Sequence, residues 1–520
     1  MLGLGKPMRE ELQEGARAST LDLPEGELEE LAQVFCRMVV EYFAAGESSP
    51  VFPDTSAEKV AGLFRAPLPA EGVGLEALAR SCGEVVRASR QNGHPRMFGY
   101  VASPATPVGA FASLLASALN SNVTSWRSAP GPTEVERTVV GWLAELIGFK
   151  GEGFNEGCGG LLTSGGSMAN LNALFVAHRT RGAGARDVSR AGLWGAGAPA
   201  TLYASDQIHL SIPKAADILG LGREQVRVVP SDEGFRIDPR LLRERVDSDE
   251  RAGLRPFCVV ASAGTVSTGA VDPLRELARF ARERGLWLHV DGAYGALAAC
   301  AQSKRALFDG LAEADSVSLD PHKWLYTPLG AGCVLFRDLA QAGAAYAGTE
   351  EGYIKVFEQA TDEAFAFWDY GTELSRPFRA FKVWAALSYY GARRVAAAIE
   401  DDCALAAYMA GRVAASEDFE LLSPATLSIC CFRYVPEEAR RELGAAAVEE
   451  ELGRINRGLD CLNERVMLRV QRGGRAYVSN AMLRGRFALR ASVTNFRTTR
   501  RDIDLTLEVV RRVALDLGNE

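Results

Sequence analysis

The chain of 520 residues is too long for one ordinary hydrophobic core, so two or three domains are expected. Its make-up, 47% hydrophobic and 24% charged, is that of a folded water-soluble protein rather than a disordered or fibrous one. A net charge of -8 speaks against a dedicated nucleic-acid binder, because no basic stripe exists to neutralise phosphates.

In chain order, the opening stretch MLGLGKPMREELQEGAR lacks the apolar segment of a secretion signal. Residues 26–45 (GELEELAQVFCRMVVEYFAA) carry apolar side chains at helical spacing, and SSPVFPDTS then breaks the pattern. The segment to about residue 95 reads as helical arms around Pro-rich connectors. Thr133 with Glu136 makes a capping box ahead of the helix VERTVVGWLAELIG. A Gly- and Ala-rich loop is expected at 182–200.

Short apolar runs then alternate with helical stretches. The predicted strands are TLYAS (201–205), QVRVVP (225–230), FCVVAS (257–262), LWLHV (286–290), SVSL (316–319) and CVLF (333–336). DPLRELARFARERG (272–285) has a helical stripe that ends at Gly285. This alternation predicts an α/β fold with a large, mostly parallel sheet covered on both faces. Beyond residue 385 come ICCFRYV (429–435), FALRASV (487–493) and a last helix after Thr499, as in a smaller α+β domain. The expected division is a helical arm at 1–100, a large domain at 101–385 and a small domain at 386–520.

No apolar run reaches the ~18 residues of a membrane span. The ten cysteines show neither CxxC nor Cys/His ligand spacing, so no metal site is expected. Together these features suggest buried thiols in a reducing, cytoplasmic setting.

Ligands of parallel α/β sheets bind beyond the carboxyl ends of the strands, so those loops are where chemistry is sought. LWLHV ends in Asp291-Gly292-Ala293-Tyr294, and SVSLD is followed by Pro321-His322-Lys323-Trp324. Lysine is scarce here, with eight in the chain against a total of 58 basic residues. Each motif also has a bland reading, Asp291 as a helix cap and Lys323 as a solvated surface lysine. Gly165-Gly166-Ser167 opens a helical run whose free N–H groups suit a phosphate, although Gly-rich turns before helices are common. His209 follows the end of TLYAS and could cover a planar ring, while a lone histidine is more often structural.

Taken together, the four loops form the set that pyridoxal phosphate requires. A lysine carries it as a Schiff base, a carboxylate keeps its pyridine nitrogen protonated, a helix N-terminus takes the phosphate and a flat side chain covers the ring.

The motifs GHPRMFGY, SWRSAPGPTEVE, SDQIH, SAGT, HVDGAY, DPHKW, RPFRAFKVW and TNFRTT run in order from 93 to 499. In them the chain resembles the group II pyridoxal-phosphate-dependent amino-acid decarboxylases, which include aromatic-L-amino-acid, glutamate and cysteine-sulfinate decarboxylases. The resemblance implies the aspartate-aminotransferase-like fold type I and a homodimer with interlocking N-terminal arms and interfacial active sites. It implies Lys323 as the Schiff-base lysine, Asp291 as the pyridinium partner, and His209 and Ala293 on the two ring faces. Gly165, Gly166 and Ser167 would meet the phosphate, with Thr265 and His322 completing the pocket.

Tyr353, in GYIKVF, is similar to the loop tyrosine that returns a proton to the carbon after carbon dioxide leaves, with an exposed loop tyrosine as the alternative. Arg490 matches a position that receives a substrate carboxylate, or forms a structural ion pair, and Tyr100 is the other substrate-side candidate. Two departures stand out. Many relatives have Asn where this chain has Asp320, and bulky apolar pocket positions are here Val101, Asn122 and Thr124. The expected activity is decarboxylation of an L-amino acid to its amine, with aromatic substrates favoured by DPHKW. The alternatives are an oxygen-consuming, aldehyde-forming deaminase, acidic amino-acid decarboxylation, other chemistry on the same cofactor, or a non-catalytic scaffold.

Overall fold

A computed structural model of the chain describes residues 21–149, 157–183, 188–193, 197–347 and 362–518. They divide into two compact units, one comprising 21–48 and 55–90, the other 49–54 and everything from 91 onward. The first unit is three helices, Glu25–Ala45, Ala57–Phe64 and Leu75–Arg87. Ser56 caps the second by accepting from the Lys59 N–H at 3.2 Å. No residue on these helices is buried, and Leu28, Val40, Leu63 and Phe64 lie exposed.

The second unit is built on a seven-stranded sheet. Its strands are β1 (Gly159–Thr163), β2 (Ala200–Ser205), β3 (Val226–Val229), β4 (Arg255–Ser262), β5 (Trp287–Asp291), β6 (Ser316–Leu319) and β7 (Gly332–Phe336), in spatial order β1-β7-β6-β5-β4-β2-β3. β7 runs antiparallel to both its neighbours, and β6, β5, β4, β2 and β3 pair in parallel. Central strands are buried on both faces, which is why they read as continuous apolar runs rather than alternating ones. The helix Leu274–Arg284 covers the sheet with Leu274, Leu277, Ala278, Phe280 and Ala281, and Gly285 at φ 65° ends it.

All six predicted strands of this sheet are present, and β1 is an addition. GGLLT opens with two glycines and has a single β-branched residue, Thr163, and it is held as an edge strand by its pairing with β7. The expected capping box is not one. Pro130 sits at the start of the helix Pro130–Leu146, three residues ahead of Thr133. Thr133 and Glu136 therefore lie inside the helix on its buried face. Thr133 donates to the Ser125 carbonyl at 3.1 Å, while Glu136 accepts from the Leu162 N–H at 2.9 Å and pairs with the buried Arg376. The pair ties helix, β1 and the 376 segment together. Of the loop expected at 182–200, the described part includes a short helix, Val188–Ala191.

A smaller antiparallel sheet follows, with order β10-β11-β9-β8: β8 (Phe419–Leu421), β9 (Ile429–Tyr434), β10 (Ser479–Leu483) and β11 (Arg486–Ser492). Helices Glu449–Arg472 and Arg500–Gly518 share its core through Val466, Val470, Ile503 and Val510. The helix Ala380–Ala414, interrupted at Gly391, joins the two cores. Val383, Ile399 and Cys403 pack with the large sheet, and Ala406, Met409 and Val413 pack with the small one. No helix among the described residues is long and apolar enough to cross a membrane.

Candidate active site

The loops that follow β1, β2, β4, β5 and β6 open into one cavity of 820 Å³, with Tyr100, Ser479 and Arg490 on its other side. Gly165, Gly166, Ser167, His209, Thr265, Asp291, Ala293, His322 and Lys323 all line it, so it gathers every predicted site residue that is described. Tyr353 lies outside the described residues. Of the three pocket positions that depart from the family pattern, Val101 lines the cavity. Asn122 instead accepts from the Arg376 N–H at 2.8 Å.

Asp291 ends β5 and is buried, and its carboxylate meets only donors. Asn170 Nδ2 donates to Oδ2 at 2.9 Å, and the Ala293 N–H and Ser318 hydroxyl donate to Oδ1 at 3.2 and 3.3 Å. Behind it a chain of hydrogen bonds has its direction fixed by this carboxylate, which can only accept. Trp287 Nε1–H donates to Ser316 Oγ at 2.8 Å, and Ser316 Oγ lies 2.9 Å from His289 Nδ1. His289 Nε2–H then donates to Asn170 Oδ1 at 3.0 Å, and the Asn170 amide turns its N–H groups to Asp291 and to Ser211 Oγ, both at 2.9 Å. Ser211 passes its own proton to His209 Nδ1 at 2.8 Å, and the Ser211 N–H adds a second bond at 3.2 Å. The outcome is a neutral His209 with Nε2–H left for the cavity. Burial pushes the imidazoles of both His209 and His289 below the usual histidine range, opposed by the nearby Asp291.

Lys323 stands just past β6, its Nζ 2.9 Å from Asp320 Oδ2. Asp320 is buried, and its second oxygen, Oδ1, has no hydrogen-bond partner among the described residues. Neighbouring His322 donates through Nδ1 to the Ala331 carbonyl at 2.8 Å, and burial lowers its basicity. The helix Gly166–Ala177 points its N-terminus at this carboxylate. A Cβ on Gly166 would lie 2.8 Å from Ala293 Cβ and 2.9 Å from Asp320 Oδ2, so the approach demands glycine. Thr265 shares a hydrogen bond with Thr268 at 2.9 Å and braces the turn after β4.

Trp324 and Tyr326 hold the lysine loop from behind. Trp324 stacks on Tyr294 with centroids 4.9 Å apart. Both Trp324 Nε1–H and the Tyr326 hydroxyl donate to Asp402 Oδ2, at 2.9 and 2.7 Å. Arg490 is buried on β11. It donates to the carbonyls of Tyr100 at 2.9 Å and Ser267 at 3.2 Å, and its Nη2 has no partner among the described residues. Tyr100, whose carbonyl it grips, has a backbone φ of 60°, unusual for a bulky residue.

Reading strand ends had not exposed Asn170, Ser211, His289, Ser316, Ser318 or Asp402. Part of that signal was present. His289 precedes Asp291 by two residues and so shares its face of β5, and Asn170 follows Gly166 by one helical turn. Ser316 and Ser318 are the cross-strand partners of His289 and Asp291, which only the register reveals.

A carboxylate kept as a pure acceptor, an amine, a glycine-opened helix N-terminus and a neutral imidazole around one cavity suit a phosphorylated pyridine aldehyde, and the chain is a pyridoxal-phosphate enzyme. The pyridoxal-dependent decarboxylase conserved domain matches residues 58–435, and the chain belongs to this family. It is 34% identical to the aromatic-L-amino-acid decarboxylase of Bacillus atrophaeus, over 82% of each chain. It is 29% identical to the 4-hydroxyphenylacetaldehyde synthase of Rhodiola rosea, over 94% of this chain and 95% of the relative. Among solved structures, Oryza sativa TDC with PLP and tryptamine superposes with a TM-score of 0.85 at 27% identity, over 96% of this chain and all of that one. The protein is a pyridoxal-phosphate-dependent amino-acid decarboxylase.

Proposed function

We propose that the substrate is an aromatic L-amino acid and that the products are its amine and carbon dioxide. The observation that carries the reading is Arg490, a buried cation on the cavity wall with Nη2 lacking an acceptor among the described residues. A buried guanidinium needs an anionic or carbonyl partner, and the α-carboxylate of an amino acid supplies one. The aromatic preference is supported by the relatives named for aromatic substrates.

Lys323 holds the cofactor covalently, Asp291 pairs with its ring nitrogen, and His209 and Ala293 cover the two ring faces. Gly165, Gly166 and Ser167 take the phosphate, with Thr265 and His322 beside them. When bound, pyridoxal phosphate accepts the electron pair released as the Cα–carboxylate bond breaks. The three donors around Asp291 orient its carboxylate as an acceptor for the ring nitrogen. His209 holds its proton on Nε2, facing the cavity. Arg490 and Tyr100 orient the substrate, and Tyr353 is the acid that returns a proton to Cα.

The enzyme acts as a homodimer in the cytoplasm. Exposed Phe111, Leu114, Leu115 and Leu119 on the helix Pro107–Leu119 of the second unit support a partner surface, as does the apolar exposure of the arm helices. Free thiols buried at Cys258, Cys333, Cys403, Cys430 and Cys431 suit a reducing compartment. The division at residues 100 and 385 is retained as part of the same reading.

The test is carbon dioxide and oxygen monitoring across a panel of L-amino acids, alongside the visible spectrum. Carbon dioxide without oxygen uptake, from aromatic substrates, with both band and activity gone in Lys323→Ala, is expected. Oxygen uptake with aldehyde formation would instead favour the second reading, which the Rhodiola relative supports. Release from acidic substrates alone would overturn the aromatic assignment.

A further inference from the structure

We propose that Asp320 takes up a proton from solvent when pyridoxal phosphate binds, and then donates it as a carboxyl hydrogen bond to the phosphate. The inference rests on the cofactor reading and concerns a residue with no role in it so far.

The Asp320 carboxylate is buried and answered on its Oδ2 side, by Lys323 Nζ at 2.9 Å and, more distantly, His322 Nε2 at 3.7 Å. Oδ1 meets no donor among the described residues. The carboxylate lies against the first turn of the helix Gly166–Ala177, where a Cβ on Gly166 would sit 2.9 Å from Oδ2 and 3.4 Å from Oδ1. The N–H groups of Gly166 and Ser167 donate to no acceptor among the described residues, so a phosphate drawn to them arrives beside Asp320.

Two changes then coincide. A phosphate bearing one to two negative charges comes close to a carboxylate inside a buried site, where like charges repel strongly. Lys323, on bonding to the aldehyde carbon with loss of one water, keeps at most one N–H in place of the three it offers Asp320 as an amine cation. The other groups facing Asp320 cannot supply the missing donors. His322 and His209 are kept neutral by burial, with Asp320 itself opposing that effect, and Cys333 on β7 is a buried thiol pushed far up. A proton on Oδ2, the oxygen that faces Lys323 and the helix start, removes the repulsion and is donated to the phosphate.

The experiment compares the full chain with Asp320→Asn, both freed of cofactor and titrated with pyridoxal phosphate from pH 6.5 to 8.5. Calorimetry in two buffers of different ionisation enthalpy counts protons. Wild type is expected to take up about one proton more than the variant, so its Kd weakens by roughly one extra decade per pH unit and the variant binds at least tenfold tighter at the alkaline end. Equal proton uptake in the two proteins would overturn the proposal, as would weaker binding by the variant at every pH. Pyridoxal, which lacks the phosphate, is an internal control on wild type alone. The extra proton should vanish with it, and its persistence would overturn the proposal even if the variant failed to fold. Absence of a visible band with either compound would instead strike the cofactor reading.

Discussion

Asp402 sets a pH dependence of stability that can be worked from the structure. It lies 1% exposed in the helix Ala380–Ala414, where Oδ2 accepts from Trp324 and Tyr326 and Oδ1 accepts from the Asn495 N–H at 3.3 Å. Burial pushes its carboxyl up to about 7, against 3.8 for an unperturbed aspartate, and the donors around it only partly oppose this. Between those two values the folded protein holds a proton that the unfolded chain has released. The contribution is therefore largest at acid pH and is lost as pH rises through about 7. Between about pH 5 and pH 8 the loss is roughly 2.5 kcal/mol for this one group.

Asp402→Asn removes the titration while keeping the side-chain volume. Urea unfolding of both proteins at the two pH values should show wild type losing roughly 2.5 kcal/mol more than the variant on going to alkaline pH. Asp272, whose carboxyl burial raises to about 6, titrates in both proteins and cancels in the difference. Parallel pH slopes in the two proteins would refute the reasoning. They would mean that three donors are enough to keep a buried carboxylate ionised throughout.

Two further substitutions test the site and its frame. Arg490→Gln should lower kcat/KM about 100-fold, roughly 2.7 kcal/mol of transition-state stabilisation, while leaving the cofactor spectrum in place. Unchanged steady-state kinetics would return Arg490 to a structural role. Glu136→Ala leaves the Arg376 guanidinium buried without its carboxylate and should cost about 3–5 kcal/mol of stability. Glu136→Leu with Arg376→Met should recover much of that loss in thermal unfolding, and failure to recover would point to packing rather than charge.

Much of the architecture was legible because it rests on local rules. The six central strands announce themselves as short apolar runs, since both of their faces are buried. The helix Leu274–Arg284 shows its stripe and its terminal glycine. Lys323, Asp291 and His209 could be singled out because parallel strands deliver their loops to one edge, so a residue's distance from a strand end already says something about its place. β1, β8 and β10 were missed because GGLLT, FEL and SNAML are poor in β-branched residues, and neighbours rather than propensity hold them extended. Thr133 and Glu136 misled for the converse reason. Their spacing fits a cap, but Pro130 starts the helix earlier and turns both inward, toward Ser125 and Arg376.

The sequence by itself determined the strand–helix alternation, the positions of the reactive lysine and carboxylate at strand ends, and the family to which they belong. Only the tertiary structure decided what surrounds them. The proton direction at His209 depends on the Ser211 N–H beside it and on an Asn170 amide oriented by the Asp291 carboxylate on β5. Arg490 Nη2 and Asp320 Oδ1 stand out by which partners, among the described residues, fail to reach them. Those are properties of packing between segments far apart in the chain, and short-range periodicity carries no record of them.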